Sequence, residues 1–207
     1  MTGATLAGLV AARICHDLVS PVGAIGNAAD LIDELSGAPI GEELDLLRQS
    51  AARATSMLRL HRLAFGTPGE AGGAMARAEL HAMVSAVLAG PRVEMRWSGL
   101  DGPALDLGAA RAIALMAMAG RCLLGMRGRL GVTLALDADW PAGVAAEGEA
   151  AALDAEAEGW LTGRAGPPLP EPRRIELALL PQALAAAHAR LALRPAPGSV
   201  LLTALPA

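Results

Sequence analysis

Lysine is absent from this 207-residue chain, and all 17 of its cationic side chains are arginine. Together with the heavy use of alanine this reads as the codon bias of a GC-rich genome, and no function is assigned to it. The 21 acidic residues outnumber the cations and leave a formal charge of −4. The basic footprint by which a nucleic-acid binder meets phosphates is therefore missing. Cysteine is nearly absent: Cys15 and Cys122 stand far apart without partners at ligand spacing. That excludes a disulfide framework and a zinc site, leaves no metal site to expect, and points to a reducing compartment. The most apolar run, 112-AIALMAMAG-120, is bounded by Arg111 and Arg121 and is by itself too short to cross a bilayer. The N-terminus has no cationic leader and runs directly into the charged residues 13–17. A cytoplasmic protein without a membrane anchor is expected. What the chain does have is a 53 % hydrophobic content, enough for folded cores in one large domain or two small ones.

A glycine-rich break, 66-GTPGEAGG-73, separates two regimes. Before it, helical periodicity runs over about 2–34 and again over about 41–65, with Gly37 and Pro39 as stop signals between. This predicts an antiparallel helical hairpin over 1–66. After it, over 74–207, the elements are shorter and mixed. Helices are predicted at 79–89, 108–126, 149–163 and 181–193, the last opened by Pro181, and strands at 92–99, 129–137 and 199–206. A proline-rich connector covers 164–174. The fold class is α+β.

In the first helix, at about 100° per residue, Val10, Ile14, Leu18, Pro21, Ile25, Ile32 and Leu35 share one face, which is the core stripe. His16, Ser20 and Asn27 fall on the opposite face, so His16 should be exposed. The second helix carries two stripes, one through Ile40, Leu44, Leu47, Ala51, Leu58 and Phe65, the other through Leu46, Met57 and Leu60. A single partner helix covers only one of them. Pairing with a second copy into a four-helix bundle would cover the other, and packing against the chain's own second domain is the alternative.

Pro21 is placed inside a helix, where it removes a hydrogen bond and costs roughly 3 kcal/mol. The bond it deletes is the one to the carbonyl of Asp17, beside His16. If Asp17 accepts from Nδ1–H, the imidazole lone pair is fixed on Nε2 and made more basic, ready to take a phosphoryl group. Arg13 either pairs with Asp17 within one turn or reaches for a partner. His61, His81 and His188 stand alone in the sequence and are expected to be partly exposed. Trp97, Trp140 and Trp160 are expected to anchor packing.

These residues resemble a known family. His16-Asp17-Leu18-x-Ser20-Pro21 is similar to the phosphoacceptor box of two-component histidine kinases. The longer string CHDLVSPVGAIGNAADLIDE resembles the alphaproteobacterial ChpT-type histidine phosphotransferases. The resemblance implies a homodimeric four-helix bundle followed by a degenerate ATPase-like domain that binds no ATP. It also implies His16 as phosphoacceptor, Asp17 as its orienter, and Arg13, Ser20, Gly23 and Asn27 as the face that docks a receiver domain. The implied partners are the receiver of a hybrid histidine kinase and the receivers of response regulators. The chain would need no cofactor, and Mg²⁺ would sit on the receiver. The helix at 108–126 contains no asparagine, Asn27 being the only one in the chain, and no Asp-x-Gly-x-Gly string occurs; 101-DGPALDLG-108 is a weak imitation. Autophosphorylation from ATP is therefore not expected. Two rivals remain: a non-catalytic dimeric scaffold for receivers, and a histidine kinase with a divergent ATP site.

Overall fold

The computed structural model describes residues 3–34, 41–66, 73–164 and 169–207. The expected turn at Gly37 and Pro39, the stripe positions Leu35 and Ile40, and the interiors of the glycine-rich and proline-rich stretches lie outside the described residues.

Helices α1 (Gly3–Glu34) and α2 (Gly41–Phe65) pack along each other as a hairpin. Helix α1 continues through Pro21, whose ring is buried against α2 along with the small side chain of Ala28. On α2 the buried line is Ser50, Ala54, Met57, Leu60, His61 and Ala64. It overlaps the second predicted stripe and not the first, and Leu58 is 51 % exposed. The reason is tertiary. The C-terminal half of α2 is wedged between α1 and the second half of the chain, so small and polar positions that face those neighbours are covered ahead of larger apolar ones.

The rest of the chain builds β1 (Ala74–Met75), α3 (Arg77–Leu88), β2 (Val93–Ser98), β3 (Leu105–Asp106) and α4 (Leu107–Leu124). It continues with β4 (Gly128–Leu134), β5 (Ala142–Glu147), α5 (Ala155–Leu161), α6 (Ile175–Ala186), β6 (Ala189–Ala196) and β7 (Ser199–Pro206). Five strands form one sheet in the order β2-β4-β5-β7-β6, parallel only between β2 and β4, while β1 and β3 make a small antiparallel pair. Alternate residues of β4, β5 and β7 are buried on one face, and α4 and α6 cover it. Helix α4 touches the sheet on one side and α2, α3 and α6 on others, which explains its apolar character all round. At Gly120 the helix comes so close that a Cβ would lie 2.6 Å from Val144 and 2.9 Å from Leu130. Arg111 donates from Nε to the carbonyl of Ala64 at 3.0 Å, capping α2 from α4.

Three expectations are corrected. Strand β5 was not expected; its Ala-Gly-Val-Ala-Ala sequence has little strand propensity, and the ladders from β4 and β7 on either side impose the conformation. The helix expected at 149–163 is confined to Ala155–Leu161, capped by Asp154 Oδ1 accepting from Ala157 N–H at 2.8 Å. The last helix begins at Ile175, following a 3-10 turn, Pro172–Arg174, so Pro172 and not Pro181 marks its entry. Residues expected to be its tail belong to β6, because His188, at φ 53°, turns the chain back into the sheet.

Arg77 is buried, and its guanidinium donates to the carbonyls of Gly99 and Pro103 at 2.7 Å, Ala138 at 3.1 Å, and Ala135. One side chain thereby ties the loops that follow β2 and β4. The tryptophans anchor packing as expected: Trp97 donates to Ser85 and Trp140 to the carbonyl of Ala187, both at 3.1 Å, and Arg174 lies over the ring of Trp160.

Candidate phosphoacceptor site

His16 projects from α1 with its side chain 48 % exposed. Its Nδ1 lies 3.1 Å from Oδ1 of Asp17. A carboxylate accepts only, so the proton of the neutral ring sits on Nδ1 and the lone pair on Nε2. Asp17 is held from three directions. Beyond His16, its Oδ2 lies 3.1 Å from Nε2 of His61 on α2 and 3.1 Å from Nε of Arg13 one turn back on α1. The Arg13 Nε–H is not aimed at that oxygen, so this contact is Coulombic. Burial works to raise the Asp17 carboxyl, but the hydrogen bond from His61, the Arg13 charge and the hydrogen bond from His16 outweigh it and hold it below its ordinary value.

Arg13 also reaches across to the second half of the chain. Its Nη1 donates to the carbonyl of Arg173 at 3.1 Å, and its Nη2 lies 3.7 Å from Oε1 of Glu176 at the start of α6. Of the two roles open to Arg13 from sequence, pairing with Asp17 is the one the structure has. Its guanidinium is turned inward and its side chain is 16 % exposed, which corrects the expectation that it presents itself to a partner. Glu176 is buried, and burial pushes its carboxyl up to about 7 against the pull of Arg13 and Arg174, with the Asp17 charge adding to the rise. The nearby Cys122 thiol is pushed up to about 11, chiefly by burial and then by Glu176.

Ser20, Gly23 and Asn27 are exposed and continue from His16 at helical spacing along one ridge of α1. Pro21 lies buried behind them. His61 corrects the expectation of a partly exposed, unaccompanied histidine: it is 3 % exposed and stacks on Phe65 at 5.3 Å between ring centroids. A signal for it was available. In a hairpin turning near residue 39, positions 17 and 61 lie equally far from the turn and should face each other.

A cleft of about 470 Å³ lies elsewhere, bordered by Arg53, Arg92 and Arg121 where α3 and α4 end. Arg121 donates to the carbonyl of Gly125 at 2.6 Å. That bond places the Arg121 charge at the C-terminus of α4. Among the described residues no group of three or more His, Cys, Asp or Glu side chains is arranged to hold a metal ion.

Residues 77–198, more than half of the chain, match the histidine phosphotransferase C-terminal domain family. The chain belongs to the histidine phosphotransferase family. The protein phosphotransferase ChpT of Brucella abortus (strain 2308) is 34 % identical over 94 residues, which cover 45 % of this chain and 44 % of that protein. The match thus spans less than half the length of that relative. A bacterial phosphotransferase solved at 1.7 Å superposes with a TM-score of 0.76 over 99 % of this chain and 97 % of its own, at 19 % identity. Hairpin and sandwich together therefore have the fold of that phosphotransferase. A histidine kinase domain from Erythrobacter litoralis aligns over 98 % of this chain and 93 % of its own with a TM-score of 0.46 and 12 % identity. The α+β architecture, a helical hairpin followed by a five-stranded sheet with helices packed on it, is shared with that phosphotransferase.

Proposed function

We propose that this protein is the histidine phosphotransferase of a phosphorelay, carrying a phosphoryl group between receiver-domain aspartates on Nε2 of His16. The observation that carries the reading is an exposed imidazole whose Nδ1–H is held by a carboxylate that is itself held from both helices. In the forward step the Nε2 lone pair attacks the phosphorus of an aspartyl phosphate, the bond from phosphorus to the aspartate oxygen breaks, and the aspartate leaves as carboxylate. The phosphoimidazolium keeps its Nδ1 proton, and Asp17 faces that positive charge. Transfer onward reverses these steps on a second receiver. Charge stabilisation on the moving phosphoryl group is expected from Mg²⁺ on the receiver; this chain supplies the nucleophile and its orientation. His16, Ser20, Gly23 and Asn27 form the docking ridge, while Arg13 and Asp17 position the imidazole.

Residues 1–66 would serve as the dimerisation and phosphoacceptor unit and 74–207 as its support. Val19, Val22 and Leu31 on α1 and Leu46 and Leu58 on α2 are 44–71 % exposed, although α2 also packs on α3 and α4. Burying them against a second copy gives a four-helix homodimer. Helix α1 is long and apolar enough over Thr5–Ile32 to cross a membrane, as is α4 over Leu107–Leu124. For α4 the sandwich core accounts for the composition. For α1 a bundle face is favoured, because Arg13 and Asp17 lie inside the span and are tied to α2 and α6, and charges in a bilayer core are costly. A cytoplasmic location is part of the same proposal.

We also read the sandwich as binding no ATP. Helix α4 offers no asparagine, Asp106 is engaged as its cap on Gly108 N–H at 2.7 Å, and Arg77 fills the loops beside it.

The test is phosphoryl transfer from a phosphorylated receiver to the full-length protein and to His16→Ala, with ATP alone as control. Acid-labile, alkali-stable label on the wild type and none on the variant is the expected result. Label from ATP alone would favour a kinase. No label from any receiver of the source organism, with binding to receivers intact, would leave a scaffold.

A further inference from the structure

We propose that His61 is a positioning residue of the phosphoacceptor site, a neutral imidazole on α2 that donates from Nε2–H to Asp17 and through that carboxylate fixes the ring of His16. The inference rests on His16 being the acceptor and adds a residue from the opposite helix to its machinery.

His61 is too buried to meet a receiver itself, so its effect passes through Asp17. The carboxylate has two oxygens with separate tasks. Oδ1 takes the His16 proton, and Oδ2 is shared between the His61 ring and the Arg13 guanidinium. Arg13 Nε is not directed at Oδ2, so the directional bond on that oxygen is the one from His61. Without it Asp17 is drawn toward the arginine by charge alone and can rotate, and the His16 ring rotates with it.

The protonation state of His61 follows from its second nitrogen. Nδ1 is buried and has no hydrogen-bond partner. A charged ring would place an N–H there with no acceptor, whereas a neutral ring leaves a lone pair. The single proton therefore belongs on Nε2, facing Asp17. Phe65, stacked on the ring with 29° between planes, restrains the plane of the imidazole. The charged groups facing the cluster are Arg13 from α1 and, behind it, Glu176 from α6.

The test compares His61→Gln with His61→Leu in the full-length protein. The two side chains have similar bulk, but only glutamine offers an N–H near the place of Nε2. Two readouts are taken: the tautomer of neutral His16 from its ¹⁵N shifts, and the rate of phosphoryl transfer from a phosphorylated receiver. Expected are a wild type with the His16 proton on Nδ1, a leucine variant in which that preference is lost and transfer slows about tenfold or more, as is usual for outer-shell partners of a working imidazole, and a glutamine variant restored in both. A leucine variant with the wild-type tautomer and rate overturns the proposal, as does a glutamine variant that falls as far as leucine. The tautomer is read without phosphate, so a protein that takes no phosphoryl group still decides whether His61 positions His16.

Discussion

The guanidinium of Arg13 stands between two carboxylates, 3.1 Å from Asp17 on its own helix and 3.7 Å from Glu176 on α6. Asp17 belongs to the candidate site and Glu176 to the supporting sandwich. Through one side chain helix α1 is tied electrostatically to the second half of the chain, and the strength of that tie depends on whether Glu176 carries a charge.

Stability should therefore vary with pH through Glu176. Unfolded, its carboxyl holds a proton only below about 4.5; folded, burial keeps the proton on up to about 7. Between those values the folded state binds more protons, so stability falls as pH rises, by about 3 kcal/mol once pH exceeds the folded value. Asp17 acts in the opposite sense, but its contribution, lost only as pH falls through its lowered folded value, is already complete by pH 5. Urea midpoints of wild type and Glu176→Gln from pH 5 to 8 give the check. The glutamine variant should gain relative to wild type as pH rises, and parallel curves would place the buried proton elsewhere.

Arg13→Ala should cost more at high pH than at low. At pH 8 it leaves Asp17 and Glu176 as buried carboxylates without their cation, a loss of about 3 kcal/mol or more; at pH 5, with Glu176 protonated, the loss should be markedly smaller. Arg13→Lys should recover only part of it, since an ammonium does not span Asp17, the Arg173 carbonyl and Glu176 at once. Denaturation of both variants at the two pH values measures this.

Arg77→Met should destabilise the sandwich by about 3 kcal/mol or more, because the carbonyls of Gly99, Pro103, Ala135 and Ala138 lose their shared donor. Phosphoryl transfer at a temperature where the variant remains folded should be unchanged, since these loops do not touch His16. Slowed transfer in a folded variant would show that the loops do reach the site.

Dimer formation should depend on the exposed apolar face of the hairpin. Val19→Glu combined with Leu58→Glu should convert a dimer to a monomer in light scattering while leaving helicity unchanged. A wild type that is monomeric at high concentration would remove the bundle.

Local rules were sufficient where each residue's neighbours along the chain set its environment. The periodicity of α1, the exposed position of His16 beside Asp17, and the apolar length of α4 were all legible on that basis. They failed at β5, where alanine and glycine take strand geometry from the ladders around them, and at α6, where Pro181 sits inside a helix that a local reading starts there. On α2 the most apolar stripe was not the buried one, because burial depends on which neighbour arrives.

By itself the sequence determined the chemistry offered on one helix: an imidazole with an adjoining carboxylate, a proline one turn on, and a polar ridge beyond. Those are relations within a few residues, and a helix of fixed pitch converts them directly into geometry. Only the tertiary structure decided that Asp17 is shared with His61 and that Arg13 turns inward to Glu176 and the Arg173 carbonyl. Those partners lie 44 and about 160 residues away along the chain, and no periodicity carries that information. It comes from the packing of α2 and α6 against α1, which gathers these partners around the carboxylate beside His16.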